Sequence, residues 1–581
     1  MKKYLTVALI TSIIMLAVMG TAVFMLSKSQ TTQEDIEMVK QQEEMDVVTD
    51  KKESVNDNDS IVLYRTGANQ NVETFSFQNN QAIYNVSKSE QVKDKLDKLK
   101  RKRDYTFSSP LWAYNPFGTN ALSMYVYFKN SEPTYLKYTI SVKDAAIPDF
   151  TRTLYNGESG NLTRKHEYQL VGLIPDMENY IVLKLYNERN QLLNKVTYKI
   201  DLADISTKAP IKLATTTGNS KTQLSNGLFY VLGLNNSSKQ KECTSYLYDN
   251  SGVLRGIIPL TNDQSDSIEL IEGKMIYDYG VNKLAEVTPL GQVTKIYDLG
   301  KYRKHHDFVY DGFGHLLVLA TDPSKQSKSV EDLVLSVDMK TGKVKKIIDM
   351  ETLLPQIKKK AKKPKGSKSL NWVGLNSIAI AGTNDILLSS SELSSVFRIN
   401  QINSEKPEVA YIIAEQSIWK GTNYKDKVLE KVVIDENEGY NAQFGQTSVQ
   451  FEMDTTLPEG QYYIYLFNNN YGSSPTRPKY DWKKFAGIGT KNHTADHSMF
   501  YKYLIDETAG SYELIKDIQV PYSSTLGSVL KYQGNHIINS GKAAIYGEYD
   551  VSGKLIKQYK GNTKSDINHV YKYDMKEFWF Q

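Results

Sequence analysis

Ser245-Tyr246-Leu247-Tyr248-Asp249-Asn250-Ser251-Gly252-Val253-Leu254 reads as a strand, a tight turn and the start of a second strand. Alternating Tyr, Leu and Val suit a half-buried pleated surface, and Asp followed by Gly supplies a turn residue tolerant of positive φ. The pattern returns twice in full. Leu335-Ser336-Val337-Asp338 leads through Gly342 into Val344-Lys345-Lys346-Ile347, and Tyr546-Gly547-Glu548-Tyr549 leads through Asp550 and Gly553 into Lys554-Leu555-Ile556. Asp506 to Gly510 is a further turn of this kind, and the spacings from Gly252 to Gly291 and from Gly510 to Gly553 are 39 and 43 residues. Four short strands in about 40 to 50 residues is the repeat of a β-propeller blade. The chain from Ile211 to Gln581 accommodates six blades with long insertions, and a pair of sandwiches is the competing reading.

Upstream, strand-like runs alternate with turns between Tyr105 and Ile205: Ser123-Met124-Tyr125-Val126-Tyr127-Phe128, Tyr138-Thr139-Ile140-Ser141-Val142 and Tyr180-Ile181-Val182-Leu183-Lys184-Leu185-Tyr186. Leu170-Val171-Gly172-Leu173-Ile174-Pro175 followed by Tyr180 is the turn that many fibronectin-like domains place before a late strand. About seven short strands in about 100 residues predict a β-sandwich. Composition agrees with an all-β chain, since 581 residues include 40 Tyr, 18 Phe and 5 Trp.

Other classes are disfavoured. A net charge of +5 is small for this length and gives no reason to expect nucleic-acid binding. Cys243 is the only cysteine, which excludes an intramolecular disulfide and any cysteine-rich metal site. No cofactor and no metal are implied, and nothing in the chain speaks to its oligomeric state.

Lys2 and Lys3 precede an uncharged run from Leu5 to Ser27, and acidic residues begin at Glu34. About 20 apolar residues can cross a bilayer as a helix, and the lysines put the N-terminus inside. The run is longer than the usual hydrophobic region of a signal peptide, about 7 to 15 residues, which favours an uncleaved anchor over cleavage near Gly20-Thr21-Ala22. No cysteine follows it, so a lipoprotein anchor is excluded. The expectation is a single-pass membrane protein with its bulk outside the cytoplasm. Residues 1–28 are read as the anchor, 29–104 as stalk and linker, 105–205 as the sandwich and 206–581 as the propeller. Lys93 to Arg103 within the linker could form a short helix.

Only eight histidines serve the chain, and His305 and His306 are adjacent, in Lys304-His305-His306-Asp307-Phe308-Val309. Side chains alternate faces along a strand, so one ring should point inward and the other outward. Such a pair suits an anion or ester site; the structural alternative is two rings bonded to backbone at a strand end.

Taken together, several motifs resemble the bacterial aryl-sulfate sulfotransferases. Pro110-Leu111 with Asn115-Pro116-Phe117-Gly118-Thr119-Asn120-Ala121-Leu122-Ser123 is similar to that family's N-terminal domain. His305-His306-Asp307-Phe308, Asn371-Trp372-Val373-Gly374-Leu375-Asn376-Ser377-Ile378 and Ile386-Leu387-Leu388-Ser389-Ser390-Ser391 resemble its first three active-site motifs. The resemblance implies an N-terminal β-sandwich and a six-bladed propeller. The implied reaction moves a sulfuryl group from an aryl sulfate to a phenolic acceptor without a nucleotide donor.

Such chemistry asks for an imidazole nucleophile and for donors around the sulfate oxygens. By resemblance, the first histidine is His305 or His306, and Asn376 is a donor to a sulfate oxygen. The clamping histidine of the family falls on Gly374, and its arginine falls on Ser391 or Glu392, where a carboxylate would repel sulfate. The nucleophile position, in Phe444-Gly445-Gln446-Thr447-Ser448-Val449, holds Thr447. His493 and His497 are possible replacements, although their sequence context matches a later strand. Activity should therefore be weak or altered. The alternatives are a propeller that binds an anionic or sulfated ligand without turnover, or a surface scaffold. The lysine run from Lys358 to Lys368, just ahead of the second motif, is either a solvated loop or an attractor of anionic polymers at the channel mouth.

The topology reading makes one prediction. Protease added to intact cells should shed a fragment of nearly full size; spontaneous release of protein with a new N-terminus near Val23 would show that the run is cleaved.

Overall fold

The computed structural model describes residues 52–203, 205, 207, 209–232, 243–261, 267–434, 439–561 and 566–581. The expected membrane-crossing run lies outside them, and no helix among the described residues is long and apolar enough to cross a membrane.

Six sheets of four or five strands follow one another. Blade 1 holds Leu228–Leu232, Cys243–Tyr248 and Leu254–Leu260. Blade 2 runs from Glu269–Ile271 to Val293–Asp298, blade 3 from Arg303–Tyr310 to Val344–Asp349, and blade 4 from Leu375–Ile380 to Glu408–Ile413. Blade 5 runs from Thr447–Glu452 to Ser511–Pro521 with Glu430–Val432 added at its edge, and blade 6 from Gly527–Tyr532 to Leu555–Lys560. From blade 3 through blade 6 and on to blade 1, the innermost strands touch one another, which makes the arrangement propeller-like. The repeated Asp-led turns all join third and fourth strands, so they share one face. Their carboxylates explain why Asp is there: Asp249 Oδ1 accepts the amides of Ser251 and Val253 at 2.8 and 2.9 Å, and Asp550 Oδ1 those of Ser552 and Lys554 at 2.8 and 3.0 Å.

Both ends of the propeller segment close the ring. Ala214–Thr217 becomes the outer strand of blade 6, and the C-terminal Val570–Tyr573 becomes the inner strand of blade 1, with Tyr571 opposite Tyr230. A buried ion pair fastens this last strand. Lys572 Nζ lies 2.8 Å from Glu548 Oε2 and donates to Ser225 O at 2.6 Å; Glu548 Oε1 accepts from Ser225 N at 2.5 Å and Asn535 Nδ2 at 2.6 Å. Both side chains are fully buried, and burial brings the Lys572 ammonium down to about 8.

The N-terminal β-sandwich shares one long strand, Ser123–Ser141, between its two sheets: one half pairs with Leu111–Tyr114 and Thr163–Val171, the other with Phe150–Thr153 and Glu178–Tyr186. Residues 52–104 correct the linker expectation. Ser60–Leu63 pairs in parallel with Leu192–Asp201, Val72–Thr74 pairs with Leu111–Tyr114, and the helix Val86–Lys100 packs on the outer strand of blade 2. Their charged surface hides a few apolar anchors, Leu63, Val72, Tyr84, Leu96 and Leu99, each buried. Tyr84 stacks on Tyr279 of blade 2 with ring centroids 3.9 Å apart.

The segment that carried the N-terminal resemblance is the seam between the domains. Thr119 Oγ1 donates to Gly291 O at 2.9 Å, Ala121 N to Ile257 O at 2.9 Å, and Ile257 N to Asn120 Oδ1 at 3.1 Å. Fully buried Arg255 pairs with Asp249 at 2.7 Å and reaches Pro148 O at 2.8 Å. The C-terminus completes the seam, with Trp579 Nε1 on Pro289 O at 3.0 Å and Gln581 N on Thr153 O at 3.1 Å. These contacts lie on blades 1 and 2, and four of the blade 1 and 2 partners, Asp249, Arg255, Pro289 and Gly291, sit at or beside the third-to-fourth-strand turns, away from the end where the inner strands begin.

Removing one partner of the buried pair strands the other charge. Lys572→Met should lower stability by about 3 to 5 kcal/mol. Adding Glu548→Gln, which keeps an acceptor for Ser225 N and Asn535, should recover part of the loss in chemical denaturation. A single variant as stable as the wild type would show that the pair does not hold the ring.

Candidate functional site

The inner strands of blades 3, 4 and 5 begin at one end of the ring, and their first residues are those singled out by sequence. His305 and His306 open blade 3, Asn376 blade 4 and Thr447 blade 5. Small polar side chains at the next position link these strands. Asp307 Oδ2 accepts Ile378 N at 3.2 Å, Ser377 Oγ accepts Val449 N at 2.9 Å, Ser448 Oγ accepts Val529 N at 3.1 Å, and Ser528 Oγ accepts Val570 N at 3.2 Å. Each hydrogen bond gives a buried amide of the next inner strand a side-chain acceptor. Sequence reading missed this set; its signal was an Asp or Ser recurring in blades 3 to 6 near the start of the first strand.

The histidine pair differs from the expected alternation. Pairing in Arg303–Tyr310 slips between Lys304 and Phe308, and His306 takes a left-handed φ of +49°. The slip turns both rings to one side: His305 Nδ1 lies 3.1 Å from His306 Nδ1, and the rings meet edge-on at 5.3 Å. His305 is buried and His306 half-buried. Beneath them, fully buried Lys304 donates to His306 O and lies 3.3 Å from Asp278 Oδ2 of blade 2. The lysine thereby props the strained turn while its own charge is paired.

A contact between two Nδ1 atoms holds one proton, because two donors cannot face each other. The ring that donates through Nδ1–H, when neutral, carries its lone pair on Nε2; the ring that accepts carries its proton there. Only one Nε2 of the pair can then act as nucleophile or base. Nearby, burial first and the Asp307 carboxylate second push the Glu269 carboxyl up to about 8, against the opposing Tyr310 amide. Burial and the neighbouring carboxylate thus favour the uncharged form of Glu269.

The other expected positions are placed differently from the chemistry first read into them. Asn376 is buried and one N–H donates to Gln446 O at 2.8 Å, leaving one amide hydrogen for another acceptor. Thr447 Oγ1 is buried and donates to Gly527 O at 2.5 Å, so its hydroxyl closes the gap to blade 6. Gly374 has φ +55°, and a Cβ there would meet Asn371 Oδ1, Ser391 Oγ and Glu392 Cβ at 3.2 to 3.3 Å. A histidine at this position would be crowded and strained. Ser391 Oγ and N both donate to Gly374 O, at 3.3 and 3.1 Å. Glu392 accepts Thr476 N at 3.0 Å, Thr476 Oγ1 at 2.5 Å and Ser474 Oγ at 2.8 Å, with burial raising its pKa. It serves as a post for a loop. His493 is exposed in a turn with Thr490, and half-buried His497 begins the third strand of blade 5, its carbonyl bonded to Asn470. The structure sets His305, His306, Asn376 and Thr447 at the same end of three successive inner strands; His497 shares that end of blade 5 without a described contact to them. Among the described residues no three His, Cys, Asp or Glu side chains are grouped to hold a metal.

The pair makes a spectroscopic prediction. Nitrogen-15 NMR of labelled histidine should show one ring of the pair as the Nδ1–H tautomer and the other as Nε2–H; in His306→Ala the His306 signals vanish and the His305 signals should shift. Two Nε2–H tautomers would contradict the shared contact.

Comparison with known proteins adds a family. The family model described as Arylsulfotransferase (ASST) matches residues 214–581, and that of the Arylsulfotransferase Ig-like domain matches residues 111–203. No curated protein matches the chain. Among solved structures, similarity extends to a catalytically inactive virginiamycin B lyase from Staphylococcus aureus with quinupristin, at 9% identity, 61% of this chain, 90% of that one and a TM-score of 0.30. It also extends to apo AztD from Citrobacter koseri, at 12% identity, 76% of this chain, 98% of that one and a TM-score of 0.26. At these TM-scores neither likeness carries an argument.

Proposed function

Because the chain belongs to the arylsulfotransferase family, with an Ig-like domain ahead of its propeller, we propose that the mouth of the propeller receives an aryl sulfate and that sulfuryl transfer there is slow. The observation that carries this reading is the paired imidazoles of His305 and His306 beside Asn376. They leave one lone pair, while the family's nucleophile and clamp positions hold Thr447, Gly374 and Ser391.

In the proposed reaction His306 donates through Nδ1–H to His305, and its Nε2 lone pair attacks the sulfur. The bond from sulfur to the aryl oxygen breaks, and its electron pair leaves on a phenolate. A phenolic acceptor then attacks the same sulfur, the N–S bond breaks and returns its pair to His306, and the acceptor's proton passes to solvent. The remaining Asn376 hydrogen would face a sulfate oxygen. Loss of one preorganised donor commonly costs about 10² to 10³ in rate, and here more than one is replaced. Thr447 is a poor substitute nucleophile, since its hydroxyl already serves a carbonyl. That same commitment of Thr447 and Ser391 to backbone supports a second reading, in which the mouth holds an anionic ligand without turnover.

Turnover of a nitrophenyl sulfate with a phenol acceptor should be barely above background, lost in His306→Ala and unchanged in Thr447→Val, His493→Ala and His497→Ala. Calorimetry should show weak binding by the wild type and weaker binding by the Asn376→Ala, His306→Ala double variant. Equal binding by the two, or robust transfer abolished at His493 or His497, would overturn the proposal.

A further inference from the structure

Charge is unevenly distributed on the face that carries the mouth. Between Pro355 and Gly374 there are seven lysines and no acidic residue. Between Asn469 and Asp496 there are five basic and two acidic residues, and between Ala414 and Gln446 four basic and six acidic. The first two of these segments alone hold ten more basic than acidic residues, against five for the entire chain. Both stay at one end of the ring, because each leads into the first or the third strand of a blade; the third also descends the outer edge of blade 5, where Glu430 N donates to Gly510 O at 2.9 Å.

The lysine loop is tied to the mouth by a short series of contacts. Lys362 N donates to Thr476 O at 2.9 Å, Thr476 N donates to Glu392 at 3.0 Å, and the adjacent Ser391 is bonded to Gly374, two residues before Asn376. Lys358 is used locally, 2.6 Å from Glu351. Lys359, Lys360, Lys362, Lys363, Lys365 and Lys368 are exposed and have no carboxylate partner among the described residues. Lys479, Lys483 and Lys484 of the neighbouring loop are also exposed, and Lys484 bonds Ser417 at 2.9 Å across to the third loop. Pairing a loop backbone to its neighbour holds many like charges side by side, which costs repulsion unless an anion shares the surface.

We propose that this rim is a docking surface for a linear anionic polysaccharide bearing repeated sulfate or phosphate groups, held across the blade 4 and blade 5 side of the mouth. A row of cations recognises regularly spaced anions through Coulomb attraction and counterion release. The stretch from Pro355 to Leu370 contains no aromatic residue, and the rings of the neighbouring loop, Tyr480, Trp482 and Phe485, are buried or half-buried and packed on one another and on Phe444, so no free platform is offered on which bases could stack; this favours a polysaccharide over a nucleic acid. The proposal does not depend on turnover at the mouth.

The test uses the full-length chain in a non-ionic detergent and immobilised dextran sulfate, with uncharged dextran as blank. A rim variant replaces Lys359, Lys360, Lys362, Lys363, Lys365 and Lys368 by Gln. A control variant carries the same change at Lys102, Lys129, Lys340, Lys343, Lys345 and Lys554, exposed residues away from the rim. At about 0.1 M salt the rim variant should bind at least about tenfold more weakly and show a shallower salt dependence, while the control binds like the wild type. Equal binding by the rim variant and wild type, equal losses in both variants, or tighter wild-type binding to immobilised single-stranded DNA would each overturn the proposal. A triple variant at Lys359, Lys363 and Lys365 should show the same direction at smaller amplitude.

Discussion

A sheet bent into a ring of blades has no exposed inner edge only when its last strand finds its first blade, and every other feature of this propeller depends on that closure. Val570–Tyr573 must leave blade 6 and pair with Leu228–Leu232, across more than 330 residues of chain. Apolar contacts alone would tolerate a slipped register, because Tyr and Val recur at many positions. The Lys572–Glu548 pair, with Ser225 and Asn535 completing its hydrogen bonds, tolerates much less. A buried charge off its partner costs several kcal/mol, so one register is selected even though the pair adds little net stability. Because Trp579 and Gln581 follow immediately and bind blade 2 and the sandwich, the strand that shuts the ring also locks the two domains together.

The same economy governs the mouth. Asp307, Ser377, Ser448 and Ser528 pass one hydrogen bond from blade to blade, and the residues just before them sit at the opening. Those preceding positions are therefore held in place whatever side chain they carry. Thr447 uses its hydroxyl on Gly527 O and Ser391 its hydroxyl on Gly374 O. Short side chains bonded to backbone stand where a sulfuryl-transfer site of this family is expected to carry long ones, and the fold keeps its satisfied polar groups while losing reach into the opening.

At the centre Lys304 is offset by Asp278, while burial and the Asp307 carboxylate beside the two imidazoles favour the uncharged form of Glu269. Excess positive charge lies on the rim. An anion is then attracted over a distance of roughly a Debye length, about 8 Å at physiological salt, and meets its few specific donors only at the end of that approach.

Much of this was legible in order and spacing. Alternating Tyr, Leu and Val with Asp-led turns marks the blades, because a half-buried strand and a positive-φ turn each require particular residues locally, and the motif around Asn376 places the inner strands. The linker was misread for a physical reason: residues 52–104 are mostly polar or charged, and only tertiary contact reveals that Leu63, Val72 and Tyr84 have partners on the sandwich and blade 2. Likewise the sequence predicts alternation of His305 and His306, whereas the neighbouring blades impose a slip and a left-handed turn that bring the rings together. Strand periodicity is a local property and so resides in the sequence itself; which donor or hydroxyl remains available depends on tertiary partners, 70 residues away for Asn376 and 80 for Thr447, and only the assembled ring decides it.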